Sequence, residues 1–271
     1  MRPRRGAALT SLVAALLLSG AWGSPARASD PWEDGDDAAV TTTNILRHGV
    51  VQQGHDLDGG AVFDADWTTF VAKPRHSYEA RVTGHRWLSV CQVVPCAPFF
   101  ERVDAAGAVL TPGAASSEDI AAAQGSEGRT VRWIASAGGR EYLRARVAGP
   151  ISSYEAPYEI VMFDTTLFLP RWNSTASQTT ILILQNTTNA TVTGSVYFYD
   201  GAGALLATEA VSVPQHGVQL LSTASIPALA GHSGSAAIAQ LGGYAALAGK
   251  AVALEPVTGF TFDTVIAPIP Y

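Results

Sequence analysis

The chain has 271 residues, a formal net charge of −6 at pH 7 and a charged fraction of only 15%. An acidic surface repels phosphate backbones, so nucleic acid is not an expected partner. The low charge content, together with 26 glycines, favours buried sheets joined by small-residue turns, and we expect an all-β fold.

Residues 1–28 have the layout of a secretory signal peptide. Three arginines precede an apolar run over residues 7–18, and small residues lead to an Ala-Arg-Ala cleavage site that ends at Ala28. The run is shorter than the about 18 apolar residues that a membrane span needs, and no later stretch reaches that length. We expect a secreted, periplasmic or cell-surface protein with no membrane span after cleavage.

The chain that follows residue 28 is long enough for two domains of ordinary size. Residues 29–43 are predicted to form an acidic leader, residues 44–164 a first β-sandwich and residues 165–271 a second. The predicted architecture is therefore two tandem sandwiches behind a cleaved signal peptide.

In the first half, short runs with a period of two are divided by Gly, Pro and Asp, as is typical of sandwiches. They predict strands over residues 68–72, 77–83, 87–94, 99–103, 130–135, 141–147 and 158–163. Residues 117–124, in an insert rich in Ala, Ser and Gly, are predicted to form one short helix. Trp67 and Trp133 are expected in the core.

Seven more strands are predicted in the second half, over residues 179–184, 192–199, 205–213, 218–221, 235–240, 246–254 and 260–265. Seven short strands within about 90 residues are the density of an immunoglobulin-like sandwich. Its core is predicted to contain Ile181, Ile183, Val196, Phe198, Val252, Leu254 and Phe262. Arg171 and Trp172 are expected to pack the junction between the two halves.

Cys91 and Cys96 are the two cysteines of the chain. In an oxidising compartment such a close pair can bridge the limbs of a tight loop, so we predict a local disulfide. A metal site is the alternative, and it lacks further cysteines.

Two stretches of the first half resemble the pre-peptidase C-terminal (PPC) family of bacterial secreted proteins. They are Asp-Ala-Asp-Trp-Thr-Thr-Phe-Val-Ala at residues 64–72 and Ser-Tyr-Glu-Ala-Arg-Val at residues 77–82, with an acidic opening at 33–37 and a closing strand at 158–161. The sequence departs from the family at Pro-Arg-His, residues 74–76, and in the cysteine loop. The resemblance implies a jelly-roll-like accessory sandwich without catalysis, which assists export or binds polymers and in some members holds calcium.

The second half resembles an uncharacterised immunoglobulin-like module of secreted bacterial proteins. Residues 249–256 and 259–263 carry this resemblance. It implies an architecture and no activity.

The densest supply of carboxylates lies in the acidic leader and in the loop before residue 67. Calcium prefers six to eight oxygen ligands, so these residues are the candidate Ca²⁺ ligands, and a solvated acidic turn is the alternative. The candidates are Glu33, Asp34, Asp36, Asp37, Asp64 and Asp66. His55, beside Asp56, could join such a site, but we interpret it as a polar loop histidine.

Two groups of side chains are predicted to form ligand-binding faces. Tyr197 and Tyr199 point outward if Val196 and Phe198 are core, because side chains alternate along a strand. By the same alternation Tyr142, Arg144 and Arg146 share one face. Exposed rings can stack on sugars or cover a peptide.

No catalytic constellation is recognisable in the sequence. The Gly-His-Ser-Gly-Ser run at 231–235 has Ser where a nucleophile elbow needs Gly. We therefore predict a non-enzymatic secreted accessory, adhesion or polymer-binding protein whose partner is an extracellular glycan or protein polymer. The alternatives are an extracytoplasmic hydrolase that uses the acidic-loop carboxylates, and a structural component of the cell envelope.

Overall fold

The computed structural model describes residues 32, 41–58, 65–86, 99–110, 116–121, 126–146, 155–255 and 257–268. Antiparallel strands dominate them, and the helices in this part of the chain are two 3₁₀ turns, Thr223–Ser225 and Pro227–Leu229. The predicted all-β, sandwich-like fold is confirmed.

The first half contains eight described strands. They are β1 Gln52–Asp58, β2 Ala65–Ala72, β3 Ser77–Arg86, β4 Phe99–Val103, β5 Ser116–Ala121, β6 Ser126–Ile134, β7 Gly139–Arg146 and β8 Glu155–Asp164. One sheet has the order β1-β8-β3-β6-β5 and the other the order β2-β7-β4. The pairs β1–β8, β2–β7 and β3–β6 are those of one long hairpin wrapped around itself, which is the jelly-roll arrangement.

The core of the first half lies between these two sheets. Alternate side chains of each strand meet there, and Trp133, Leu143 and Ile160 are among those that are fully buried. Trp67 is also buried, in a smaller cluster with Val103 on the outer face of the three-stranded sheet. Both tryptophans are therefore buried as predicted.

One prediction for the first half is wrong. The helix predicted over 117–124 is wrong, because Ser116–Ala121 is strand β5 and pairs with β6, with Ser117 opposite Val131. Sheet pairing overrides the weak helix propensity of a short segment. Strand β1 was not predicted, and the strand predicted over 87–94 lies outside the described residues.

The second half also contains eight described strands. They are β9 Leu167–Ser174, β10 Thr179–Asn186, β11 Val192–Asp200, β12 Leu205–Val213, β13 Val218–Ser222, β14 His232–Gln240, β15 Leu247–Leu254 and β16 Thr261–Pro268. Their order is β12-β11-β14-β9-β16-β15-β10-β13. The two edge strands approach each other, since the amide of Ser212 donates to Oε1 of Gln219 at 2.9 Å. The sheet thereby wraps around one core.

The core face of β10 and β15 differs from the prediction. Val196 and Phe198 are fully buried as expected, but Phe262 is 61% exposed. Ile181, Ile183, Val252 and Leu254 are only half-buried, on the outer face. The buried positions are instead Leu182, Leu184, Leu247 and Ala251. A shift of one residue moves every side chain of a strand to the opposite face.

The two halves meet at a buried ion-pair network. The side chain of Glu79 on β3 is fully buried and pairs with Arg81 and with Arg132, whose Nε lies 2.5 Å from Oε2. Arg81 also covers the ring of Phe163, which stacks on Tyr244 of the second half at 4.6 Å between centroids. The ion pairs lie within the first half, and the aromatic stack of Phe163 on Tyr244 makes the contact with the second half.

The connection between the halves is held by Asp164. Its carboxylate lies 2.8 Å from Nδ1 of His76 and accepts the amide of Thr166, while its own amide donates to Nδ1 of His48 at 2.7 Å. Burial lowers the pKa of His48, and the nearby Asp164 carboxylate opposes this only in part. His48 thus accepts through Nδ1 from the amide of Asp164, and burial favours its neutral form.

Candidate functional site

A cleft of about 410 Å³ opens in the second half between β9 and β16. Its walls are formed by Arg171 and Asn173 of β9, Phe262 and Thr264 of β16, Gln178 and Ala253. None of the expected ligand-binding residues lies in it.

The cleft exists because β9 is only partly paired on one of its sides. On that side it meets β16 at Leu167 and Phe168, and β10 at Ser174. Among the described pairings no ladder joins β9 to either strand between those points. Strand β9 separates from β16 over this length, and side chains of both strands form the walls of the gap.

A β-bulge aims Arg171 into the cleft. The register between β14 and β9 shifts between Gly234 and Ala236, opposite Pro170 and Arg171. Proline cannot donate to a ladder, and it is found at bulges for that reason. The Nε1–H group of the buried Trp172 donates instead to the carbonyl of Ser235 at 2.8 Å. The indole therefore fixes the bulge from the core side, and Arg171 is exposed on the other.

This observation corrects the expectation for Arg171 and Trp172. Trp172 lies in the core of the second half, with its ring edge-on to Phe198 at 5.6 Å. Arg171 is exposed at the cleft. Neither residue takes part in the contacts between the two halves described above. A proline and an arginine inside an otherwise apolar strand were the only sequence signal of this site.

The cleft presents several polar groups that the protein does not use. Arg171 has no ion pair among the described residues, and neither Asn173 nor Gln178 makes a side-chain hydrogen bond in that part of the chain. The backbone of Asn173 is fixed, since its amide donates to Thr180 Oγ1 at 2.9 Å and its carbonyl accepts from Thr223 at 2.6 Å. The exposed Arg171, the half-buried Gln178 and the largely buried Asn173, which is 6% exposed, therefore line the cleft with side chains that make no hydrogen bond within the described residues.

No family model, curated protein or solved structure matches this chain. The function must therefore be inferred from the geometry of its surfaces. In the part of the chain that the structure describes, no helix combines the length and the apolar character that crossing a bilayer requires.

Tyr142, Arg144 and Arg146 lie on one face of β7, as the alternation predicts. Glu101 of β4 forms ion pairs with both arginines, and its carboxylate lies 2.7 Å from Arg144 Nη2 and 2.8 Å from Arg146 Nη2. Burial of Glu101 favours its neutral form, but the hydrogen bonds from Arg146 and Arg144 outweigh this and lower its pKa. Arg144 also lies over the ring of Trp67 at 5.2 Å. These cations are engaged within the protein.

Tyr197 and Tyr199 lie on the face of β11 opposite the buried Val196 and Phe198, and both are half-buried. They belong to the second half, whereas Tyr142 belongs to the first. The structure therefore does not combine the two predicted faces into one site.

Most of the candidate calcium ligands lie outside the described residues, namely Glu33, Asp34, Asp36, Asp37 and Asp64, as do Cys91 and Cys96. Asp66 is 2% exposed, and its carboxylate accepts the hydroxyl proton of Tyr158. Among the residues that the structure describes, no group of three or more His, Cys, Asp and Glu side chains is placed to hold a metal ion.

His55 is a core residue of β1, which corrects its interpretation as a loop histidine. It is fully buried, and its ring is stacked between Tyr158 at 4.9 Å and Trp32 of the leader at 5.3 Å. The indole of Trp32 also donates to the carbonyl of Gln53 at 3.0 Å. Burial lowers the pKa of His55 to about 4. Its environment suits a neutral ring that anchors the leader.

Proposed function

We propose that this protein is an exported, non-catalytic binding protein that attaches to an extracellular polymer through the cleft between β9 and β16. The cleft itself carries the proposal. Its described lining offers a free cation, two amides and an exposed ring, and includes no carboxylate, histidine, serine or cysteine. Such a lining can hold a ligand in place. Its one hydroxyl, on Thr264, has no base beside it among the lining residues, so the activated nucleophile that bond cleavage needs is missing there.

Export is the second part of the proposal. The charged, apolar and small-residue segments within residues 1–28 support it, because they have the order of a secretory signal. The binding site would then act outside the cytoplasm, where polymers of glycan and protein are the abundant ligands.

The buried state of Asp66 favours binding over hydrolysis. A general acid or base must reach its substrate within hydrogen-bonding distance. Asp66 is 2% exposed and is already bonded to Tyr158, so its carboxylate is not presented to a substrate.

The test uses the purified chain that lacks residues 1–28, the proposed signal peptide. The protein is mixed with insoluble pectin, chitin, cellulose or collagen, and the fraction that co-sediments is measured. In parallel, release of reducing ends and of amino groups reports turnover. We expect retention by at least one polymer without turnover. The proposal is overturned if no polymer retains the protein, or if the wild-type chain cleaves one of them.

A further inference from the structure

We propose that the cleft between β9 and β16 recognises the carboxylate-bearing sugars of an anionic polysaccharide. This inference rests on the proposed binding function and names its ligand. Three elements of the cleft carry it, namely the Arg171 guanidinium, the amides of Asn173 and Gln178, and the Phe262 ring.

Arg171 supplies a local selectivity for a negative charge, on a protein whose net charge of −6 repels polyanions over the rest of its surface. A guanidinium presents a planar fork of donors that matches a carboxylate with two parallel hydrogen bonds. Because no described carboxylate pairs with Arg171, a ligand does not have to displace an internal partner. The bulge at Pro170, held by Trp172, fixes the backbone from which this side chain extends.

Asn173 and Gln178 supply recognition of hydroxyl groups. An amide side chain offers a donor and an acceptor side by side, so it can bond neighbouring hydroxyls of a sugar ring. Asn173 lies two residues from Arg171 on the same strand, and side chains at that spacing share one face. A carboxylate and its adjacent hydroxyls can therefore be bound from one wall of the cleft.

Phe262 supplies a flat apolar surface on the opposite wall. Its side chain is 61% exposed, although it belongs to the face of β16 that carries the buried Ile266 further along. Aromatic rings provide contact area at low entropic cost, and the apolar face of a pyranose packs against such a ring. The volume of about 410 Å³ falls within the range of ligand pockets, about 300–1,000 Å³.

An acidic peptide would also satisfy Arg171. An acidic peptide has no group that must bind the exposed ring or the two amides. An acidic sugar contacts the guanidinium, the amides and the ring together. We therefore commit to the sugar, and the peptide is a measurable competitor.

The experiment is isothermal titration calorimetry at low salt. Trigalacturonate is titrated into the purified chain that lacks residues 1–28. Maltotriose serves as the neutral sugar and triglutamate as the acidic peptide. The variants are Arg171→Gln and Phe262→Ala. Arg140→Gln is the matched control, because Arg140 is an exposed strand arginine of the first half.

We expect saturable binding of trigalacturonate, and about tenfold weaker binding of maltotriose and of triglutamate. Arg171→Gln and Phe262→Ala should each weaken trigalacturonate binding by about tenfold, and Arg140→Gln should leave it unchanged. The inference is overturned if triglutamate binds as tightly as trigalacturonate, or if both cleft variants bind like wild type.

The outcome separates this inference from the proposed function. If the wild-type chain still co-sediments with a polymer while Arg171→Gln and Phe262→Ala have no effect on trigalacturonate, the acidic-sugar site is wrong and a binding function remains. If no polymer retains the wild-type chain, the binding function itself is wrong.

Discussion

Gly243, in the loop between β14 and β15, lies directly against the carboxylate of Glu79 on β3. A Cβ atom at Gly243 would overlap Oε2 of Glu79 and would lie 2.9 Å from Nε of Arg132. The residue also has φ +95°, a conformation that side chains disfavour. The side chain of Gln240 holds this loop by donating to the carbonyl of Gly243 at 2.6 Å.

Gly243→Ala should therefore destabilise the protein by about 2 kcal/mol or more, since backbone strain and the displacement of a buried ion pair add. The measurement is the urea midpoint of the variant against wild type. Gly201→Ala is the matched control, because a Cβ there meets nothing within 4 Å. Equal midpoints for the two variants would contradict the close contact.

Glu79→Gln should destabilise the protein by about 3 kcal/mol, because it keeps the shape of this fully buried side chain but removes the charge that pairs with Arg81 and Arg132. The side chain of Arg132 is only 14% exposed in this pair. The comparison is Asp263→Asn, which breaks the pair with Lys250, where both side chains are about half exposed. That change should cost less than about 1 kcal/mol. Thermal unfolding of both variants measures the difference, and similar losses would refute the distinction.

The stability of the fold should depend on pH through His55. Its pKa is about 4 in the folded protein against 6.5 for an unperturbed histidine. The unfolded chain therefore binds more protons between these values, and stability is complete above pH 6.5 and falls as the pH drops toward 4. The loss amounts to about 3 kcal/mol if His55 acts alone.

The check is the free energy of unfolding measured from pH 4 to pH 7 for wild type and His55→Phe. Phenylalanine retains a ring between Trp32 and Tyr158 but cannot titrate, so its profile should be flatter over this range. His232→Gln, at an exposed position, should retain the wild-type slope. Parallel profiles for wild type and His55→Phe would count against the assignment.

The orientation of β10 can be tested by two alanine substitutions at neighbouring positions. Leu182 is fully buried, so Leu182→Ala should cost about 2–5 kcal/mol. Ile181 is half-buried on the outer face, and Ile181→Ala should cost less than about 1.5 kcal/mol. Urea unfolding of both variants distinguishes the faces. If Ile181→Ala cost more stability than Leu182→Ala, the result would support the core face that the sequence predicts and contradict the structure.

This strand also shows why part of the fold could not be predicted. The segment Thr-Thr-Ile-Leu-Ile-Leu-Gln-Asn places isoleucines on one face and leucines on the other. Both faces are apolar, so a period of two identifies the strand but not its core side. Burial is decided by the partner layer, which local sequence does not contain. Strands with one polar face, such as β7, were oriented correctly.

The cleft was not predicted for a related reason. The bulge at Pro170 and Arg171 interrupts the alternation of β9, so the strand itself was missed. Its functional groups come from three separate segments, and Phe262 was assigned to the core from its apolar character. In contrast, Tyr197 and Tyr199 lie where the alternation of β11 places them, because Val196 and Phe198 mark the buried side clearly.

Strand β9 begins next to Asp164, which holds the connection between the halves, and it ends as a wall of the cleft. If the proposed polymer binds at Arg171, tension applied through it would pass along this single strand toward the first half. The antiparallel ladder of β9 with β14 would then be loaded in shear, so several hydrogen bonds would have to break together.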